Sequence, residues 1–285
     1  MTSLSKLFDL TDRVAVVTGG AGLLGAEFCR ALVLAGARVV VADIDANAAK
    51  DLSHSLTELQ AKEHRSVNME VKPAVISSWV DVTDIESVQS TVDATLKQFG
   101  SLDILVNSAA LDPKFDPQHS GGHSNAFEDY PIEAWDQALD VNLTGMFLCC
   151  QAAVRPMLAQ GQGVIINVCS IYGMVGPDQK IYQRDGEAPQ FKPVHYSVTK
   201  AGVLGLTKYL ATYYSGKNIR VNALTPGGVY NQHDDEFVQA YAARTVVGRM
   251  AEKDEMNGAL LFLASDASAY MTGANLVVDG GWTAW

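Results

Sequence analysis

Along this chain, short uninterrupted apolar runs alternate with longer stretches in which apolar residues recur at helical spacing. Val14-Ala-Val-Val17 reads as a buried strand, and residues 25–35 as a helix that Gly36 ends. Residues 38–42 predict a second strand, 46 to about 63 a helix with a polar face, and 74–80 a third strand. A helix over 84–99 stops at Gly100, and Ile104-Leu-Val106 forms a fourth strand. The second half keeps the rhythm, with helix 132–160, strand 163–169, helix 198–214 and strand 220–224. A helix over about 252–264 and a strand at 276–279 close it. Strands that are apolar throughout are buried on both faces, which requires helices above and below a parallel sheet. No Pro/Ser-rich linker, low-complexity tract or short-period repeat interrupts the series, so the pattern predicts one α/β domain over 1–285 with a doubly wound parallel sheet.

The turn after the first strand carries the first candidate chemistry. Residues 18–25, Thr-Gly-Gly-Ala-Gly-Leu-Leu-Gly, contain Gly20-x-Gly22-x-x-Gly25 and open the first helix. Glycines there let the turn tighten and let backbone N–H groups approach a pyrophosphate, which the helix dipole also favours. With 24 glycines in the chain such spacings arise by chance, so the strand–turn–helix context carries the reading; the alternative is an ordinary βα turn. Asp43 ends the second strand, where a carboxylate accepts hydrogen bonds from both adenosine ribose hydroxyls and repels a 2′-phosphate. Neither the loop nor residues 39–49 hold an Arg or Lys to receive that phosphate, so NAD is expected over NADP. Asp43 and Asp45 both suit the cap of the next helix; Asp45 fits that position better and leaves Asp43 for the ribose.

Composition narrows the partners. Of 285 residues 48% are hydrophobic, enough for a large core, and 21 Lys and Arg against 32 Asp and Glu give a net charge of −11. So acidic a surface repels nucleic-acid phosphates and anionic lipid, and neither is expected as a partner. Cys29, Cys149, Cys150 and Cys169 lie in apolar stretches without a C-x-x-C pair, which suits reduced core cysteines. The first residues lack the apolar core of a signal peptide, and no run nears the roughly 18 apolar residues of a membrane span. A soluble, cytoplasmic protein is the expectation. His119 and His123 are spaced i,i+4, but Gly121-Gly122 break the helix that would align them, so no metal site is expected.

Tyr196-Ser-Val-Thr-Lys200 places a phenol and an ammonium on one helical face. Tyr213 and Lys217 share the spacing but straddle Gly216 at a helix end, so context favours Tyr196. Further along the chain stand Asp81-Val82, Asn107-Ser-Ala-Ala110, Asn142, Ser170, Pro226-Gly227 and the closing Ala274-Asn-Leu-Val-Val-Asp-Gly-Gly281. Taken in order with the glycine turn and the Tyr–Lys pair, they resemble the compact, single-domain branch of the short-chain dehydrogenase/reductase family from about residue 10 to 281.

The resemblance implies a single-domain Rossmann fold and an NAD-dependent oxidoreductase. It implies that Tyr196 is the general acid/base on the substrate oxygen and that Ser170 hydrogen-bonds the same oxygen. Lys200 would lower the Tyr196 pKa and hold the nicotinamide ribose, helped by the charge of oxidised nicotinamide. Asn142 would kink its helix and hold a water that relays protons to Lys200. Cofactor contacts are implied for Gly19, Gly22, Leu23, Leu24, Asp43, Ile44, Asp81, Val82, Asn107, Ala109, Pro226, Gly227, Val229 and Asn231, besides Tyr196 and Lys200. Among these, Asp81 would meet the adenine amino group and Val82 its ring. A homotetramer, or a homodimer, is implied through the helix bearing Leu143, Phe147, Cys150 and Val154. Three departures stand out. Leu23 replaces a glycine of the compact pattern, giving the spacing of the branch that acts on nucleotide sugars; Ser and Ala replace Asn and Gly after Asn107; and Asn231 replaces a Thr expected to meet the carboxamide.

Ser170 and Tyr196 stand about twice as far apart as is usual in that family, and the surplus falls at 176–194. That segment is polar, with Lys180, Arg184 and Lys192; a second polar loop at 111–130 carries Asp112, Lys114, His119 and His123. Both follow C-terminal ends of strands, where open α/β sheets bind ligands. Such lids suit a polar, carbohydrate-type alcohol or carbonyl substrate, with Lys180 or Arg184 facing an anionic group and Tyr172 beside them; the alternative is solvated surface or subunit contact. The segments around Tyr172, Lys208, Gly228 and 273–285 also resemble relatives in bacterial surface-sugar biosynthesis. Two other functions compete: a reductase of 3-oxoacyl groups or other hydrophobic ketones, and a non-catalytic NAD-binding regulator.

Overall fold

Seven strands form one parallel sheet: β1 (Val14–Thr18), β2 (Arg38–Asp43), β3 (Val75–Trp79), β4 (Ile104–Asn107), β5 (Gly163–Val168), β6 (Ile219–Pro226) and β7 (Asn275–Val278). They lie side by side in the order β3-β2-β1-β4-β5-β6-β7. The structure is a computed structural model, and it describes residues 4–65, 74–112, 125–184, 186 and 188–285. The helices are α1 (Leu4–Leu7), α2 (Leu23–Leu34), α3 (Ala46–Arg65), α4 (Ile85–Phe99), α5 (Ile132–Leu139), α6 (Met146–Gln160), α7 (Val194–Tyr213), α8 (Asp235–Ala242) and α9 (Asn257–Ala264).

Alternate strand residues face opposite sides of the sheet, so each apolar strand feeds two cores. On one face Val16, Val40, Leu105, Ile165 and Val221 pack with Val88 and Val92 of α4, Met146, Cys150 and Met157 of α6, and Val203 of α7. On the other, Val17, Val39, Val41, Ile104 and Ile166 pack with Phe28 and Leu32 of α2, Leu56 of α3, and Leu260 and Leu263 of α9. The fold is the single-domain, doubly wound Rossmann-type sheet that the apolar pattern predicts. Thr18 pairs with Ala42 on one side and Asn107 on the other, so the chain winds outward in both directions from β1 and β4. Open sheets of this kind bind ligands at that switch point, beyond the C-terminal strand ends.

Element ends follow the capping chemistry. The Asp84 carboxylate accepts the Glu86 N–H at 2.9 Å, and α4 ends at Gly100 with φ 84°. Asp45 takes the Asn47 and Ala48 N–H groups at 3.1 and 3.0 Å, the capping role expected of it. Other boundaries differ from the sequence reading. The helix expected over 132–160 is three pieces, because a π-helical turn at Asp140–Gly145 separates α5 from α6. α7 starts at Val194, directly after Pro193, so Tyr196 sits in its first turn. α8 occupies a stretch without a predicted element; the Asp234 carboxylate caps it by accepting the Phe237 N–H at 2.8 Å. The four cysteines are free and buried. Among the described residues, no helix is long and apolar enough to cross a membrane. Most of the 111–130 loop, including Lys114, His119 and His123, lies outside the described residues.

Candidate active site

Close packing dictates the glycines of the first turn. Gly19 has φ 62°, and a Cβ on it would lie 2.7 Å from the Ala109 Cα at the end of β4. A Cβ on Gly25 would lie 2.0 Å from the Gly19 carbonyl oxygen. Gly22 caps α2 without a side chain, which leaves the first helical N–H groups uncovered. Leu23 is exposed and Leu24 partly buried. At the end of β2, the half-buried Asp43 accepts the Ala21 N–H at 2.9 Å through one oxygen and the Asp45 N–H at 3.0 Å through the other. Ile44 beside it is exposed. After β3, Asp81 takes the Thr83 N–H and hydroxyl at 2.9 and 2.7 Å, and Val82 is buried against Gly145 of the π-helical turn. The Asn107 side chain is buried, donating to Asn167 Oδ1 at 2.9 Å, and Asn167 donates in turn to Thr207 Oγ1.

Ser170 follows β5, and its hydroxyl, which accepts the Tyr172 N–H at 3.2 Å, lies beside the phenol of Tyr196. Lys200 is one turn further along α7, with Nζ 5.7 Å from the Tyr196 ring centroid and donating to the Val168 carbonyl at 3.0 Å. Burial pushes the Tyr196 phenol well above its ordinary value and Asp112 adds to the rise, while the neighbouring Ser170 hydroxyl pulls it back. Burial pushes the Lys200 ammonium down. Asn142, in the π-helical turn, spends its side-chain amide on protein partners. Its Oδ1 accepts the Leu111 N–H at 2.6 Å, and its Nδ2 donates to the Leu111 carbonyl at 3.0 Å and to Thr199 Oγ1 at 3.3 Å.

β6 ends at Pro226 with Gly227 following it, and the Gly228 N–H donates to the hydroxyl of Tyr241. Val229 bridges to Ala251, while Asn231 is exposed and gives its backbone N–H to His233 Nδ1 at 3.1 Å. Tyr172 is buried edge-on between Tyr196 and Trp282, with ring centroids 6.5 Å away in each case. Its oxygen accepts from the Tyr182 hydroxyl at 2.8 Å. Burial pushes the Tyr172 phenol up to about 12.

The expected anion-binding cations are placed otherwise. Arg184 is held by Asp234 through two bonds of 3.0 and 2.8 Å and lies near Glu236, so it is spent within the protein; Lys180 is exposed. The cation next to Tyr196 is Lys192, whose Nζ stands 4.1 Å from that ring centroid and pairs with Asp112. Both residues lie in the polar loops marked by the sequence, but their pairing joins positions 80 residues apart. His195, next to Tyr196, was also missed: its Nδ1 bonds the Tyr130 hydroxyl at 2.6 Å, and burial pushes it down to about 4.

With this geometry in hand, comparison with known proteins is informative. A family model described as "Enoyl-(Acyl carrier protein) reductase" matches residues 20–283. The chain is 38% identical to the cis-4-hydroxycyclohexanecarboxylate dehydrogenase of Sinomonas cyclohexanicum, across 96% of this chain and 97% of that protein. It is 35% identical to the D-threitol dehydrogenase of Mycolicibacterium smegmatis, across 97% and 95%. Among solved structures it is similar to a gluconate 5-dehydrogenase from Burkholderia cenocepacia in complex with NADP and tartrate, with a TM-score of 0.83, 28% identity and 99% and 100% coverage.

Proposed function

Because the chain belongs to the short-chain dehydrogenase/reductase family, oxidoreductases acting on CH–OH groups, we propose that it is an NAD(H)-dependent dehydrogenase of a polar, carbohydrate-type secondary alcohol. The observation that carries this reading is the gathering of Ser170, Tyr196 and the buried Lys200, whose Nζ stands 5.7 Å from the Tyr196 ring centroid, at the C-terminal end of the sheet. The glycine turn fits a dinucleotide: Gly19 and Gly25 are packed to the point of excluding a Cβ, so the backbone of Gly22 and its neighbours is the surface on offer at the start of α2. Asp43 keeps acceptor capacity on both oxygens beyond its bonds to Ala21 and Asp45, which suits ribose hydroxyls and opposes a 2′-phosphate. Gly19, Gly22, Asp43, Asp81, Gly227 and Lys200 would hold the cofactor, and bound there nicotinamide supplies the hydride acceptor or donor.

The protein's own groups then handle the proton and the orientation. Tyr196 takes the proton of the substrate hydroxyl during oxidation and returns it during reduction. Ser170 bonds the same oxygen and fixes which lone pair faces Tyr196. Lys200, a buried ammonium, stabilises the phenolate that forms. Asn142 acts as a positioning residue, tying Leu111 and hence the start of the 111–130 loop to α7. The relatives reported above act by name on small hydroxylated compounds, and the proposal leans on these rather than on the surface-sugar likeness. Cytoplasmic location and a homotetramer stay part of the proposal.

The test is NAD⁺ and NADP⁺ reduction over a panel of polyols, sugars and sugar acids, with acyl thioesters and NADPH as the opposing arm. NAD⁺ is expected to win on a polyhydroxylated substrate. Tyr196→Phe is expected to lower kcat by about 10²- to 10⁴-fold while NADH affinity, read by fluorescence titration, is retained. Wild-type turnover in Tyr196→Phe, or activity confined to acyl thioesters, overturns the reading.

A further inference from the structure

Resting on the proposed dehydrogenase reading, part of the segment inserted between Ser170 and Tyr196 can be given a task. Residues 178–184 meet the stretch that carries α8 in reverse order, through two charge pairs of opposite polarity. At one end the Arg184 guanidinium donates to both oxygens of Asp234 at 3.0 and 2.8 Å, with Glu236 3.7 Å from its Nε. At the other, the Arg244 guanidinium donates to Asp178 at 2.7 Å. Each carboxylate also caps its own segment: Asp234 accepts the Phe237 N–H, and Asp178 accepts the Lys180 N–H at 3.1 Å. The same two groups that start the elements therefore tie them together.

Between the ties the facing rings are buried. Tyr182 lies against Phe237 of α8 with ring centroids 5.5 Å apart, and its hydroxyl donates to Tyr172, which sits edge-on to Tyr196. Tyr241 of α8 stacks on Trp282, which meets Tyr172 edge-on in turn. Both elements thus press on the phenol beside Tyr196, residues 178–184 through Tyr182 and α8 through Tyr241 and Trp282. The ties themselves are open to solvent, since the side chains of Asp234 and Arg244 are 58% and 46% exposed. Salt reaches the ties more readily than the rings between them.

We propose that residues 178–184 and α8 are one lid, which opens and closes as a body over Tyr196, and that Arg184 and Asp178 are the positioning residues that hold it shut. With both ties made, Tyr172 is seated beside the reacting phenol and the substrate is shielded from water. With either tie lost, the seat loosens at both ends at once.

The experiment uses the full chain with Arg184→Met, Asp178→Asn and the two combined. Arg38→Met is the control, because it breaks the Arg38–Asp12 pair at the start of β2. Hydrogen–deuterium exchange without substrate is read over 178–184 and over 235–242. Amides that exchange through one shared opening accelerate by one common factor, so each single variant is expected to raise both segments equally, by about fivefold. At saturating NAD⁺, KM for the faster of D-threitol and galactitol is expected to rise by a similar factor while NADH affinity, read by fluorescence, holds. Raising KCl from about 0.1 to about 1 M shortens the Debye length from about 10 to about 3 Å, and should raise KM in the wild type but not in the combined variant. Arg38→Met should leave all these readings at wild-type values. Exchange that rises only beside the tie that was cut, or an unchanged KM in both single variants, overturns the lid. If neither polyol turns over, the dehydrogenase reading fails on its own account, and the exchange pattern still decides the lid.

Discussion

Replacing Asn142 by alanine tests whether the π-helical turn holds the substrate loop. The wild-type amide makes three hydrogen bonds, at 2.6, 3.0 and 3.3 Å, from a side chain that is 1% exposed. At about 1 kcal/mol net per bond the loss is about 3 kcal/mol. The longest bond is weak and Leu111 is half-buried, so water recovers part of this and about 2 kcal/mol is expected. For a chain of this size that lowers Tm by about 3–4 °C. Asn142→Asp keeps the acceptor for the Leu111 N–H but sets a carboxylate oxygen against the Leu111 carbonyl, so it should melt no higher than Asn142→Ala. Thermal melts give the stability, and steady-state kinetics should show KM for the alcohol rising while NADH affinity holds. A Tm shift below about 1 °C in Asn142→Ala, the scale of an inert surface change, refutes the reasoning.

Two further outcomes follow from burial and close packing. Gly25→Ala puts a Cβ 2.0 Å from the Gly19 carbonyl oxygen, at or beyond the upper end of the roughly 1–3 kcal/mol range for overpacking, and should weaken NADH binding with it; calorimetric affinity equal to wild type would contradict this. His195 has its pKa pushed from 6.5 to about 4 by burial, so the unfolded chain binds a proton that the folded chain refuses between those values. Stability should therefore fall as pH drops from 6.5 towards 4 and level off below, and urea titrations of His195→Asn should show a shallower slope over that window; parallel slopes would remove His195 from the account.

Much of the site was legible because it depends on local chemistry. The glycine turn is written in eight consecutive residues, Asp45 caps the helix that starts one residue later, and Tyr196 and Lys200 share a helical face by spacing alone. What was not legible depends on partners far along the chain. Asn142 and Leu111 are 31 residues apart, Arg184 and Asp234 50, and Lys192 and Asp112 80. A polar side chain in a loop reads the same whether it meets solvent, a substrate or an opposite charge, so Arg184 looked available and was not. The π-helical turn escaped for another reason. It adds one residue to one turn, a change that leaves the apolar periodicity of residues 132–160 almost intact while it redirects Asn142.

The strand order also sets a sequence in time. β1 finds its first neighbour soon, in β2, but the other wall of the crevice is β4, and the Asp103 carboxylate that takes the Val14 N–H is 89 residues away. Contacts so distant close slowly, after the local helices and the β1–β2 pair have formed. Trp282, stacked 4.3 Å from Tyr241, comes from still later in the chain. A chain emerging from the ribosome thus carries its glycine turn, complete in sequence, long before that turn has a second wall. Until β4 docks, the half-built sheet exposes the apolar edge of β1, and this interval is the one in which the protein is most open to mispairing.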